Sequence, residues 1–337
     1  MPFAIEIKQL TKVYDRKVKA LAGVDLTIKD AGIFALLGPN GSGKTTLIRI
    51  LTTQFRPTSG VALVFGYDVV RDDDKVRKII GYVPQEMSVW TDISGYENLL
   101  IYAKIYGVPS GQREKNIWEA LQIMGLDEVA NRQVKKYSGG MVRRLEIACA
   151  MLIKPKILFL DEPTLGLDPS ARKAVWENLR SFKKEHGAAV FFNTHYMDEA
   201  DLYSDEVAII NKGRIVKLGT ASELKRSLQS EIIAISLAAP GADSKHHLCA
   251  ASVHPGLESA VLDKIRALNF VDNADIRCSV LHVAVEDSET ALPPIIEVLR
   301  SEGIALERIA TARPTLDDVF LKYAGLRYAK DEEQDAA

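Results

Sequence analysis

Unbroken apolar runs punctuate the first two thirds of the chain. Ile33-Phe34-Ala35-Leu36-Leu37, Ile157-Leu158-Phe159-Leu160 and Ala188-Ala189-Val190-Phe191-Phe192 are the clearest. A strand reads this way when both of its faces are covered, as in a parallel sheet flanked by helices. Glu206-Val207-Ala208-Ile209-Ile210 turns through Asn211-Lys212-Gly213 into Arg214-Ile215-Val216-Lys217-Leu218, which predicts a hairpin. Between about residues 87 and 150 the strand signals stop and helical spacing takes over. That change predicts a helical subdomain inserted into the sheet domain. A helix from Ala221 to about Leu228 closes the unit.

Beyond it the rhythm changes. Glu231–Leu237 reads as a strand, followed by a loop rich in Ala, Gly, Asp and His. Helical spacing runs from Leu257 to about Leu268 and strand-like runs lie near 270–277 and 279–286. A helix from Leu292 to about Arg300 and a strand from Ile304 to Ala310 come next. The order β-α-β-β-α-β is that of a ferredoxin-like module. The expected division is an α/β domain over 1–230, an accessory α+β domain over 231–325 and an acidic, disordered tail over 326–337.

Composition narrows this little. With 47% hydrophobic and 26% charged residues the chain has ample material for cores. Lys plus Arg total 43 against 45 for Asp plus Glu, so no general basic field recommends nucleic acid or anionic lipid as partner. Three scattered cysteines (Cys149, Cys249, Cys278) make no disulfide framework and suit a reducing cytosol. No secretory signal is visible, and no apolar run approaches the roughly 18 residues a membrane helix needs. His246, His247, Cys249 and His254 cluster in the loop, in a spacing that matches no standard zinc pattern.

Two segments carry chemistry. Gly38-Pro39-Asn40-Gly41-Ser42-Gly43-Lys44-Thr45 fits G-x-x-x-x-G-K-[ST], with an apolar strand before it and a helix beginning at Thr46 after it. Glycines let the backbone wrap phosphates, so that N–H groups and a helix dipole face the negative charge. Lys44 is expected to contact the β- and γ-phosphates of a nucleotide and Thr45 to ligate Mg²⁺. The second segment, Ile157–Glu162, is a buried strand ending in two acids. Asp161 would hold Mg²⁺ through water, and Glu162 would be the base that polarises the attacking water. By itself the pair reads equally well as a strand finishing in solvated acids; beside the phosphate loop the catalytic reading prevails.

Together with Tyr137-Ser138-Gly139-Gly140-Met141, upstream of Asp161, these segments resemble the nucleotide-binding subunits of ABC (ATP-binding cassette) transporters. The resemblance implies an α/β P-loop NTPase fold with an ABC-type helical subdomain, an N-terminal antiparallel β region and the small C-terminal α+β domain. It also implies that Ser138, Gly139 and Gly140 bind the γ-phosphate of ATP held by a second copy in a head-to-tail dimer. The usual family segment is Leu-Ser-Gly-Gly-Gln; here Tyr137 and Met141 replace its ends, which puts any contact of the usual Gln in doubt. Gln85 matches the loop glutamine that reaches Mg²⁺ and the attacking water. Asp168, in Leu165-Gly166-Leu167-Asp168, matches the segment crossing the dimer interface. His195 matches the switch histidine, and Tyr14 the aromatic that stacks on adenine. Within the cofactor site the loop residues are Gly38, Asn40, Gly41, Ser42, Gly43, Lys44, Thr45 and Thr46.

Lys136–Leu145, Asp161–Pro169 and the late Arg313-Pro314-Thr315-Leu316-Asp317-Asp318-Val319-Phe320-Leu321 resemble the daunorubicin-resistance-type ATPases. Those energise exporters of drugs, antibiotics or lipid-like molecules. The implied partners are a second copy of the chain and a separate membrane permease of about six spans. The chain would then sit on the cytoplasmic face of the cell membrane through that permease. Met87, Val89, Trp90 and Tyr96 line the expected docking groove around 86–101, and read as core on their apolar character alone. A non-transport ATPase acting on ribosomes or DNA is the alternative, although the chain has neither a second cassette nor a long coiled coil. The late motif also reads as a capped amphipathic helix, with Thr315 as cap and Leu316, Val319 and Phe320 on its apolar face.

Overall fold

The computed structural model describes residues 3–15, 17–29, 32–228, 231–237, 255–277, 280–285, 287–302, 304, 306–312 and 314–324. Backbone contacts divide the chain into two compact units, Met1–Ala221 with Phe320–Ala337, and Ser222–Val319. Cys249, Cys278, the His246–His254 cluster and the tail lie outside the described residues.

In the first unit β1 (Ile5–Tyr14) pairs antiparallel with β2 (Val18–Ile28). β3 (Ile33–Leu37) leads through the loop 38–43 into α1 (Lys44–Leu51), and the chain returns as β4 (Ser59–Val64) and β5 (Tyr67–Asp68). The resulting antiparallel sheet has the order β2-β1-β4-β5. After α2 (Asp73–Arg77) and β6 (Ile80–Val83), three helices form the insert: α3 (Gly95–Ile105), α4 (Ser110–Ile123) and α5 (Gly139–Met151). β7 (Ile157–Asp161), α6 (Pro169–His186), β8 (Ala189–Thr194), α7 (Met197–Tyr203), β9 (Glu206–Asn211) and β10 (Arg214–Gly219) complete a second sheet. Its order is β10-β9-β3-β8-β7-β6, parallel apart from the β9–β10 hairpin.

Every residue of β3, β7 and β8 is buried, which is why these segments lack polar alternation. The exceptions in composition sit at the carboxyl ends: Asp161, Asn193 and Thr194 are buried polar residues. In open parallel sheets that end is where ligands are met. The helical insert begins at a capping box, in which Ser94 accepts from the Glu97 N–H and Glu97 accepts from the Ser94 N–H. α6 opens on Asp168 with Pro169 in its first turn and stops at Gly187, whose φ of 63° suits glycine.

In the second unit α8 (Ala221–Arg226) precedes β11 (Glu231–Leu237), α9 (Pro255–Arg266), β12 (Val271–Arg277) and β13 (Val280–Val285). α10 (Ser288–Ser301) and β14 (Leu306–Ala312) follow, and α11 (Leu316–Ala324) runs across the boundary between Val319 and Phe320. The sheet is antiparallel throughout in the order β12-β13-β11-β14, so the element order is the ferredoxin-like one. Its core joins Ile233, Ile235, Leu281 and Val283 to Val261, Ile265, Ile295 and Leu299. α10 starts a turn earlier than its apolar spacing predicts, because Asp287 caps it by accepting from the Glu289 N–H at 3.0 Å. Pro293 and Pro294 therefore lie inside the helix, rather than in the first turn where missing N–H groups are harmless. Thr315 caps α11: its Oγ1 accepts from the Asp318 N–H at 3.4 Å while its own N–H donates to Asp318 Oδ2 at 2.8 Å. Among the described residues no helix is long and apolar enough to cross a membrane.

Candidate active site

The loop after β3 is shaped by its glycines. A Cβ on Gly38 would fall 2.5 Å from the Ile210 carbonyl oxygen, and one on Gly43 would fall 2.5 Å from that of Ala20. Gly43 also has φ +106° and serves as the N-cap of α1 with no side-chain cap, which leaves first-turn N–H groups to an anion. Asn40 and Gly41 form the exposed lip of the loop, and the buried Ser42 Oγ has no hydrogen-bond partner among the described residues. Lys44 is buried and folds back on the loop, with Nζ donating to the carbonyls of Gly38 at 2.8 Å and Pro39 at 3.0 Å. Burial lowers its pKa, and the nearby charges of Glu162 and Asp161 oppose that shift.

Asp161 arrives at the end of β7. Its Oδ1 accepts from Thr45 Oγ1 at 3.2 Å and from Asn193 Nδ2 at 2.6 Å, while Oδ2 is buried with no hydrogen bond among the described residues. Burial raises the Asp161 pKa against the effect of those two hydrogen bonds. A buried carboxylate oxygen lacking a partner, beside a threonine hydroxyl, is the oxygen donor set that a hard divalent cation uses. These residues fit Mg²⁺.

Asn193 bridges to the next residue as well, accepting the Glu162 N–H at 2.6 Å. Glu162 has φ +47°, a left-handed backbone that side chains rarely adopt. Its Oε1 lies 3.2 Å from His195 Nδ1, the histidine standing just beyond β8. Thr45, Asp161, Asn193, Glu162 and His195 are thus joined in one bonded series, an arrangement able to hold a cation at one end and a proton acceptor at the other.

The remaining expected residues lie apart from that series. Tyr14 is half-buried with its hydroxyl 3.5 Å from Thr46 Oγ1, and it meets Phe55 edge-on at 6.1 Å between ring centroids. Gln85 is exposed, and the structure gives it no bond to Thr45 or Asp161. Ser138 caps α5 by accepting the Met141 N–H at 3.3 Å, and Ser138 and Gly139 are exposed. Gly140 packs so closely on α6 that a Cβ would fall 2.7 Å from Ala171 Cβ. Asp168 caps α6, accepting from the Ser170 and Ala171 N–H groups at 3.0 Å.

Sequence reading passed over three residues that organise the site. Asn193 is one; its signal was a polar residue ending an all-apolar strand. Arg143 is another, buried and donating to the carbonyls of Pro84, Asp161, Glu162 and Pro163. Glu199 is the third, buried between Thr164 on one side and Thr194 at 3.1 Å on the other. Burial raises its pKa.

Residues 21–165 match the family model described as ABC transporter. The daunorubicin resistance ATP-binding protein DrrA3 of Streptomyces coeruleorubidus is 36% identical over 96% of this chain and 96% of its own. The likeness thus also covers the segment 231–305, between the cassette and the late motif Arg313–Leu321. Among solved structures, CbiO1 of Clostridium perfringens, part of an ABC transporter complex, shows a TM-score of 0.62 and 28% identity over 68% of this chain and 95% of its own. The ATP-binding cassette MJ0796, a dimer in a post-hydrolysis state with ADP and Pi, gives a TM-score of 0.57 and 28% identity over 64% of this chain and 98% of its own.

Proposed function

The chain belongs to the ATP-binding subunits of ABC transporters, of the daunorubicin-resistance type, and on that footing we propose how its residues do the work. It is an ATPase coupled to transport. The cargo we propose is a drug, antibiotic or lipid-like molecule, moved outward through a separate permease of about six spans. The exposed Met87 and Trp90 would face that permease, whereas Val89 is core and Tyr96 packs on Trp118. The chain would thereby be held at the cytoplasmic face of the membrane. The full-length likeness to a drug-resistance protein favours this over action on ribosomes or DNA.

The observation carrying the mechanism is the bonded series from Thr45 to His195. Backbone N–H groups of the loop 38–45 wrap the phosphates, and Lys44 exchanges its carbonyl partners for phosphate oxygens. Tyr14 stacks on the adenine. Thr45 and Asp161 would hold Mg²⁺, with Gln85 as the further expected ligand, and the ion would supply positive charge against that developing on the phosphates. Water attacks the γ-phosphorus and gives a proton to Glu162, while the bond to the ADP oxygen breaks. His195 orients Glu162 through Nδ1 and leaves Nε2 for the γ-phosphate. Ser138, Gly139 and Gly140 of a second copy close the site, with Asp168 at the dimer interface. The test is Glu162→Gln: we expect it to bind ATP, elute as a dimer in size-exclusion chromatography and turn over ATP about 10²- to 10⁴-fold more slowly. Normal turnover would remove Glu162 as the base.

A further inference from the structure

Arg143 has an unusual set of partners. It lies on the second turn of α5, is 7% exposed, and spends its guanidinium on main-chain carbonyls from two other segments. Nε donates to Pro163 O at 2.8 Å, and Nη2 to Asp161 O at 2.8 Å and Glu162 O at 3.3 Å. Nη1 donates to Pro84 O at 2.7 Å and to Glu146 Oε2 at 2.9 Å. Glu146 is itself 4% exposed, and its other oxygen accepts from the Ser88 N–H at 2.6 Å and the Ser88 hydroxyl at 3.1 Å. The pair therefore grips the loop containing Gln85 at both ends, through Pro84 and Ser88. It also grips the peptides on both sides of Glu162.

An isolated buried ion pair is weak evidence for stability, since desolvation offsets most of its attraction. Here every contact but one is to backbone, and the backbone held includes a residue at φ +47°. A left-handed residue with a side chain persists only where its surroundings over-determine it. Asn193 fixes the Glu162 N–H, and Arg143 fixes the carbonyls that follow. Only a planar fork with donors on three nitrogens can reach carbonyls from both segments at once.

We propose that Arg143, braced by Glu146, is a positioning residue that aims Glu162 and ties that aim to the position of the Gln85 loop. A partner pressing on Met87 and Trp90 would displace Ser88 and Pro84, and the shared guanidinium would pass the displacement to the peptides around Glu162. The inference rests on the reading of Glu162 as the base.

The test uses the purified full chain and Arg143→Lys, Glu146→Gln, Gln85→Ala and the double variant Arg143→Lys/Gln85→Ala. Labelled-ATP affinity, kcat and Tm are measured for each. Arg143→Lys should lower kcat about 10- to 100-fold while ATP affinity changes less than about 2-fold, since small misplacements of a reacting group cost rates of this size. Glu146→Gln, which keeps the shape, should give a smaller loss in kcat in the same sense. The double variant should lose less than the product of the single losses, as coupled residues do. An unchanged kcat in Arg143→Lys, or losses in kcat, affinity and Tm that run in parallel, would overturn the positioning role; multiplicative losses would overturn the link to the Gln85 loop. Glu162→Gln measured alongside separates the two readings. If it turns over normally the base assignment fails, and if it is inactive while Arg143→Lys is normal only the present inference fails.

Discussion

Two glycine-rich turns open helices in the nucleotide-binding unit, and they are finished differently. At α1 the N-cap is Gly43, no side chain caps the helix, and the buried Lys44 stands among the loop carbonyls. At α5 the N-cap is Ser138, whose hydroxyl already serves the Met141 N–H, and the turn faces solvent. The first has the form of the phosphate site proposed above, assembled within one chain. The second is a surface offered outward, and its serine can keep its cap, accepting the Met141 N–H, while its own O–H donates to a phosphate elsewhere. That asymmetry is what a composite site shared between copies requires.

The sharpest way to break the comparison is chemical. Glu162→Gln should lower kcat by about 10²- to 10⁴-fold with nucleotide affinity preserved, in the range removed with a general base. Next, Lys44→Ala should weaken labelled-ATP binding by about 10- to 100-fold, the worth of a charge-assisted contact. Ser138→Arg should leave that binding within about 2-fold and abolish the ATP-dependent dimer in light scattering, because Ser138 lies outside its own chain's loop. Mixing the Lys44→Ala and Ser138→Arg proteins should restore hydrolysis that neither shows alone, as one intact site forms from the two good halves. No recovery on mixing would contradict the shared site. The smallest effect concerns Asp161. Its pKa is raised by burial, so the folded state binds its proton more readily than the unfolded chain. Its contribution to stability is fully present below the unfolded value of 3.8 and is lost as pH rises through the higher folded pKa. Asp161→Asn should therefore raise the Tm of nucleotide-free protein at neutral pH by about 2–4 °C, the equivalent of about 1 kcal/mol. That gain should vanish as the pH approaches 4 in a thermal-shift titration.

Much of this was legible in the residues. β3 begins and ends where its apolar run does, because a strand covered on both faces tolerates nothing else. The phosphate loop and the acid pair are readable because their chemistry demands fixed residue types at fixed spacing. Asn193 and Arg143 were not, since each acts through contacts distant in sequence: Arg143 meets Pro84, far upstream, and Pro163, downstream of its own helix. A motif reports what touches a ligand. It is silent on what holds the motif still. The apolar residues near 90 were undecidable for a related reason, as burial separates Val89 from its exposed neighbours Met87 and Trp90 within one turn of chain.

Glu162 stands in a backbone conformation that glycine adopts freely and a side chain adopts at a cost of about 1 kcal/mol. The substitution that relaxes the fold at this point is therefore also one that removes the proposed base. If Glu162 is the base, as proposed, backbone conformation and chemistry favour different residues at position 162. Glu162→Gly should therefore relax the backbone at this point while removing the proposed base. The fold thus carries a strained point at the residue the proposed chemistry needs.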